Sequence, residues 1–159
     1  MKYARFEDLP VWQLASQLAV CVFSLGEKTV LGRHRSLRDQ IERAALSVSN
    51  NIAEGFERGT TSELLAFLYI ARGSSGEVRS MLCVMESMAP FADLKAEISD
   101  LKSLAENFSR QLRGWAQHLQ DTSIRGQRHM TTKSRQMDRA RRDRDSFLRE
   151  LDELRKKST

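Results

Sequence analysis

The side chains best suited to acid–base or metal chemistry are the three histidines, His34, His118 and His129. They lie far apart in the chain and lack metal-ligand spacing, so each is interpreted as a surface residue. The sequence contains neither a GxSxG nucleophile motif nor a phosphate-binding GxxxxGKS/T loop. We therefore expect no enzymatic activity, no metal and no cofactor.

Two weaker chemical signals have structural interpretations that we favour. Glu54 and Glu57 form a carboxylate pair on one predicted helix, a spacing commoner in capping or salt bridging than in acid–base catalysis. The glycine-rich run Gly73–Gly76 lies inside a helical pattern rather than after a strand, which indicates close helix packing.

Arginine sets at helical spacing are the strongest chemical signal, since a guanidinium can donate two parallel hydrogen bonds to a phosphate. Arg72 and Arg79 are seven residues apart and share a helix face. The other two sets in the first 121 residues are Arg35 with Arg38 and Arg110 with Arg113, each three residues apart. The candidate nucleic-acid-binding residues are Arg35, Arg38, Arg72, Arg79, Arg110, Arg113, Arg139, Arg141, Arg142 and Arg144.

Each arginine set has an alternative interpretation as a partner of nearby carboxylates. For any single set in the first 121 residues we favour ion pairing with Asp39, Glu77 or Glu106. In the tail, Asp138, Asp143 and Asp145 are interleaved with the arginines, as on a salt-bridged, solvated helix.

The net charge of +5 is concentrated near the end of the chain. Residues 1–121 carry 14 basic and 15 acidic side chains, whereas residues 122–159 carry 12 basic and 6 acidic ones. This asymmetry favours an acidic partner such as RNA or DNA, with a solubilising tail as the alternative.

Composition points to a cytoplasmic helical protein. Good helix formers dominate, and aromatic residues make up only 7% of the chain. No apolar run approaches the length of a membrane span, and the first residues do not resemble a secretory signal. Cys21 and Cys83 stand alone in helical patterns, so we expect reduced thiols.

Hydrophobic periodicity predicts four helices in residues 1–121. We expect the first over 9–29 with Asp8 as its N-cap, and the second to begin near Ser36, with Asp39 in the acidic capping position, and to stop at Gly55. The third begins with a capping box formed by Thr60 and Glu63 and ends before Pro90. The fourth begins at Asp93.

The fourth predicted helix carries a seven-residue repeat formed by Ile98, Leu101, Ala105, Phe108, Leu112, Trp115 and Leu119. Short connections between long helices favour antiparallel neighbours. The sequence therefore predicts an all-α fold, an antiparallel up-down-up-down four-helix bundle over residues 1–121.

A change in composition follows the bundle. We predict a linker over 122–136 and a basic C-terminal helix over 137–159. An apolar row on this helix is the candidate partner-binding surface, formed by Phe147, Leu148, Leu151 and Leu154.

Polar residues interrupt the second predicted helix at Ser47, Ser49, Asn50 and Asn51. Such residues are mildly unfavourable inside a helix. We favour the interpretation that they satisfy backbone groups near Gly55, and a polar contact surface at a subunit boundary is the alternative.

Three segments resemble a known family, namely residues 6–15, 40–55 and 67–77. The run Asn51-Ile52-Ala53-Glu54-Gly55 is the most specific. Over residues 5–120 the chain resembles the four-helix-bundle proteins encoded in intervening sequences of bacterial 23S ribosomal RNA genes. They are similar to the accessory variability determinants of diversity-generating retroelements.

The resemblance implies a non-enzymatic adaptor that forms a ring-shaped homopentamer and binds nucleic acid and a reverse transcriptase. It implies that Asn51, Glu54 and Gly55 hold the bundle and its subunit contacts together. The extension from Thr122 has no counterpart in the family pattern. Two hypotheses result: a nucleic-acid-binding accessory protein, or a protein-interaction adaptor whose tail helix docks on a protein partner.

Overall fold

The computed structural model describes residues 3–121, 140 and 143–149, and this part of the chain is all-helical, as the sequence predicts. Two 3₁₀ turns, Phe6–Asp8 and Ala89–Leu94, precede the first and last long helices. Residues 3–121 form α1 (Pro10–Gly26), α2 (Thr29–Arg33), α3 (Arg35–Glu57), α4 (Thr61–Glu86) and α5 (Lys95–Asp121).

The chain divides into two compact units, residues 1–126 and residues 127–159. In the second unit, the described residues 140 and 143–149 are helical. The predicted linker over 122–136 and the rest of the predicted tail helix lie outside the described residues. No helix in the described part of the chain is long and apolar enough to cross a membrane.

Each of the four long helices packs against two of the others. Helix α1 contacts α3 and α5, α3 contacts α4, and α4 contacts α5. One group of buried side chains includes Ile41 and Leu82, and a second includes Phe56 and Phe108. Burial of each such side chain favours folding by about 1.5–3 kcal/mol. The burial of these faces determines which face of each helix is exposed to solvent.

The first two predicted helices begin within one residue of the expected positions, but their predicted caps are wrong. The N-cap of α1 is Leu9, whose side chain is buried, and Asp8 lies in the preceding 3₁₀ turn. Helix α3 begins at Arg35 after His34, which makes no side-chain capping bond, so Ser36 lies inside the first turn. The short helix α2, which the sequence did not predict, buries Leu31 and brings the chain directly into α3.

Gly55 does not end its helix, contrary to the prediction. Helix α3 continues to Glu57, and the positive φ of 81° belongs to Gly59. Gly55 is instead buried against α4, where a Cβ would approach Phe67 and Leu64. The glycine that the sequence predicts as a helix stop is instead needed for the close packing of α3 on α4.

The predicted capping box at the start of α4 is confirmed in its main bond. The Thr60 hydroxyl accepts a hydrogen bond from the Glu63 backbone N–H at 3.3 Å. The same hydroxyl donates to the Glu63 carboxylate. Both bonds fix the first turn of α4 and so orient the residues that follow.

The predicted apolar row of α5 is buried except for one position. Six of its seven members are buried, but Trp115 is only half-buried and its neighbour Ala116 is buried in its place. A helix with 3.6 residues per turn drifts relative to a strict seven-residue repeat, which moves the buried face by one residue near the end.

Candidate functional site

A surface depression lies between the middle of α4 and the last turns of α5. Two of the predicted arginines, Arg72 of α4 and Arg113 of α5, line it together. We call it the α4/α5 depression, and its full lining is Tyr69, Arg72, Leu112, Arg113, Ala116, Gln117, Gln120 and Asp121.

One hydrogen bond ties the two helices across this depression. The Gln120 amide nitrogen donates to the Tyr69 hydroxyl at 2.7 Å. Tyr69 nevertheless keeps 47% of its surface exposed, so the side chain is both oriented and partly accessible to solvent. Sequence reasoning missed Tyr69, Gln117 and Gln120. The spacing of Arg113, Gln117 and Gln120 is the signal that could have placed them on one face.

The remaining predicted arginines of these helices, Arg79 and Arg110, are exposed. Arg79 lies two helical turns beyond Arg72, about 10 Å along the axis of α4. We call Arg72, Arg79, Arg110 and Arg113 the arginine set. None of the four forms an ion pair with any residue that the structure describes.

The favoured ion pairing of these arginines is therefore wrong for α4 and α5. Arg72 and Glu77 are five residues apart, a separation that places side chains on different sides of a helix. Glu77 lines a groove between α3 and α4, together with Arg43 and Ser47. Glu106 precedes Arg110 by one turn but forms no ion pair among the described residues.

The third arginine set lies elsewhere, at the start of α3. Arg38 donates to Glu42 at 2.8 Å, one turn further along, rather than pairing with Asp39 as expected. This hydrogen bond raises the pKa of the Arg38 guanidinium. Arg35 is exposed.

The start of α3 is far from the α4/α5 depression. His34 packs against Phe91, whose 3₁₀ turn leads into α5, with ring centroids 5.5 Å apart. Arg113 lies 18 residues beyond the start of α5 at Lys95, a distance of about 27 Å along the helix axis. The structure therefore does not bring Arg35 and Arg38 together with Arg113.

Polar residues inside α3 form a small network with α4. Asn51 donates its amide to the Ser47 carbonyl at 2.7 Å and to the Ser47 hydroxyl at 2.9 Å. The Ser47 and Ser74 hydroxyls are 2.9 Å apart and join the two helices. Ser49 donates to the Leu46 carbonyl. These side chains satisfy backbone groups within the helix and one another across the helix contact.

Glu54, from the run that carries the family resemblance, is exposed beside a cation. Arg58 donates to it at 2.7 Å, and the guanidinium carbon lies 5.2 Å from the centroid of the Phe67 ring. The hydrogen bond raises the pKa of the Arg58 guanidinium. Glu54 has an i,i+4 surface partner, and this geometry resembles helix stabilisation more than acid–base chemistry.

Part of the predicted tail surface is described. Arg144 forms an ion pair with Asp145 at 3.1 Å, whereas Phe147 and Leu148 are 59% and 50% exposed. The other predicted tail residues lie outside the described residues, namely Arg139, Arg141, Arg142, Leu151 and Leu154.

The described residues contain no group of three or more histidine, cysteine or acidic side chains that could hold a metal ion. His34 packs on Phe91, and His118 is exposed near the end of α5. Cys21 and Cys83 are both free thiols.

Comparison with family models gives one match, to the 23S rRNA-intervening sequence protein family, over residues 7–114. That range is about two thirds of the chain. The chain belongs to the 23S rRNA-intervening sequence protein family. The family match includes α1 to α4, most of α5 and the whole arginine set, whereas Gln117, Gln120 and residues 122–159 lie beyond it. A comparison with curated proteins gave no match.

Proposed function

We propose that this protein is a non-enzymatic accessory protein that binds nucleic acid through the arginine set. The observation that carries the proposal is that these four guanidinium groups, on two packed helices, make no ion pair with a described residue. Such groups can donate to phosphate oxygens without first breaking an ion pair to a described carboxylate. Contacts of this kind position a nucleic acid but do not select its sequence.

The helices that present the arginine set form, in this proposal, an antiparallel up-down-up-down four-helix bundle. Support comes from the order of three contacts between α4 and α5. Tyr69 is bonded to Gln120, Ser75 to the Ala105 carbonyl, and Glu86 to Lys102. From the first contact to the third, the α4 residue number rises while the α5 residue number falls, which is the order expected for antiparallel helices.

We further propose, on the family resemblance, that copies of the bundle assemble into a ring-shaped homo-oligomer, a pentamer, in the cytoplasm. Its protein partner in this proposal is the reverse transcriptase of a diversity-generating retroelement. The mass of the purified full chain in solution tests the ring, and five times the monomer mass is expected. A monomeric mass would contradict the ring.

Nucleic-acid binding is tested with the full chain and a charge variant. The variant replaces Arg72, Arg79, Arg110 and Arg113 by glutamine, and affinity for a fluorescent oligonucleotide is measured by anisotropy. A matched control removes four cations that are ion-paired in the structure, namely Arg5, Arg38, Arg58 and Lys102. We expect the first variant to bind much more weakly than wild type and the control to keep the wild-type affinity. Equal losses would indicate non-specific attraction and contradict the proposed surface.

A second candidate function is supported by the exposed Phe147 and Leu148 of the tail. Exposed apolar side chains on one helix can insert into the groove of a partner protein. In this alternative the chain is a protein-interaction adaptor. Replacing both residues by serine would then abolish capture of the protein partner and leave oligonucleotide binding unchanged.

A further inference from the structure

We propose that the α4/α5 depression is a binding site for one unstacked base of a single-stranded nucleic acid, with Tyr69 as the stacking platform. The inference rests on the proposed function and assigns to it a substrate class and a position. It is carried by the chemistry of the lining, in which a partly exposed tyrosine, side-chain amides and two arginines without an ion pair to any described residue surround one concavity.

The Tyr69 ring is suited to stacking because it is exposed and held in place. Its hydroxyl accepts the hydrogen bond from Gln120 of the facing helix, so the ring is anchored at its polar end. An anchored ring loses little side-chain freedom when a base stacks on it. Aromatic platforms of this kind bind any base, since every base has a π-face.

The two arginines provide the backbone contacts that a stacked nucleotide needs. Arg72 and Arg113 approach the depression from opposite helices, and neither is neutralised by a described carboxylate. A nucleotide whose base lies on Tyr69 therefore has cations on either side for its flanking phosphates. Arg79 and Arg110 continue the cationic surface along the same two helices.

The remaining polar groups favour a base edge over a bare phosphate. Gln117 and Gln120 offer amide donors and acceptors, and Asp121 adds a carboxylate to the same lining. A carboxylate repels phosphate but accepts hydrogen bonds from the amino groups of bases. This mixture distinguishes the depression from a simple anion site.

A double helix cannot use this site, because its bases are stacked on one another and their faces are covered. The inference therefore predicts a preference for single strands that depends on the Tyr69 ring. The test uses the full chain, a fluorescent single strand of about 12 nucleotides and the matching duplex. Anisotropy gives both dissociation constants for each variant.

Three substitutions separate the ring from its surroundings. Tyr69→Ala is expected to weaken single-strand binding about tenfold and to leave duplex binding unchanged. Tyr69→Phe keeps the ring but removes the bond to Gln120, so its single-strand affinity is expected to lie between those of wild type and Tyr69→Ala. Ile70→Ala is the control, because Ile70 is equally exposed but lines the groove between α3 and α4. Thermal unfolding of each variant verifies that the bundle is intact.

The outcomes separate this inference from the function on which it rests. If the wild-type chain binds but Tyr69→Ala binds single strands equally well, the stacking site is wrong and the proposed function stands. If Tyr69→Ala weakens duplex and single-strand binding equally, the base-stacking role is again overturned. If the wild-type chain binds neither form, both proposals fail.

Discussion

Gly55 of α3 lies so close to Phe67 of α4 that a Cβ placed on Gly55 would come within 2.7 Å of the Phe67 Cβ. The same atom would meet the Leu64 Cα at 3.3 Å, which is backbone and cannot move aside as a side chain would. The contact between α3 and α4 therefore requires the absence of a side chain at this position. It explains why a glycine stands inside a helix, where it is otherwise unfavourable.

We expect Gly55→Ala to lower the free energy of unfolding by about 1–3 kcal/mol, because the added methyl group forces the two helices apart. Urea unfolding followed by circular dichroism measures the change. Gly73→Ala is the matched control, since a Cβ at Gly73 meets nothing within 4 Å, contrary to the close packing that we predicted for the two glycines of this run. There we expect a gain of about 0.5–1 kcal/mol from helix propensity. Equal effects at both glycines would contradict the close contact.

The cap of α4 provides a second test. Thr60→Ala removes the hydroxyl that accepts from the Glu63 backbone N–H, so we expect a loss of about 1 kcal/mol of stability. Ser36→Ala is its control, since Ser36 makes no capping bond in α3. Chemical unfolding of both variants measures how much each of these two hydroxyls contributes to stability. A larger loss for Ser36→Ala would contradict the structure and support Ser36 as the cap of α3.

The serine contact between α3 and α4 is tested with a double-mutant cycle. Ser47→Ala, Ser74→Ala and the double variant should reveal a coupling of about 1 kcal/mol, the usual value of a hydrogen bond between side chains. A cycle between Ser49 and Ser74 serves as reference, because among the described residues the Ser49 side chain bonds to the Leu46 carbonyl of its own helix and not to Ser74. Its coupling should not exceed about 0.5 kcal/mol. Absence of coupling between Ser47 and Ser74 would mean that their hydroxyls do not interact.

Helix type and core positions were predictable because they depend on local periodicity. The buried row of α5 is largely the row that the spacing predicts, from Ile98 to Leu119. Helix ends were less predictable, because they depend on tertiary contacts. Leu9 rather than Asp8 is the N-cap of α1, and its side chain is buried in the core. Gly55 lies inside α3, where the absence of a side chain allows α4 to approach closely.

The candidate site was only partly predictable for the same reason. The spacing of Arg72 and Arg79 identifies one helix face, but it does not reveal which residues of α5 face them. Arg113, Gln117 and Gln120 line one depression with Tyr69 because α4 packs on α5. The local sequence pattern does not specify that packing. By contrast, the pairing of Arg38 with Glu42 follows from local i,i+4 spacing, which favours Glu42 over the adjacent Asp39 and is readable from the sequence.

The salt dependence of oligonucleotide binding tests the central claim most directly. Each phosphate contact contributes about 0.7 to the slope of log affinity against log salt on a single strand, and about 0.9 on duplex DNA. Replacing the arginine set by glutamine should therefore lower the single-strand slope by about 3 relative to wild type. An unchanged slope in this variant would mean that these arginines do not contact phosphates. That result would contradict the proposed function of the arginine set.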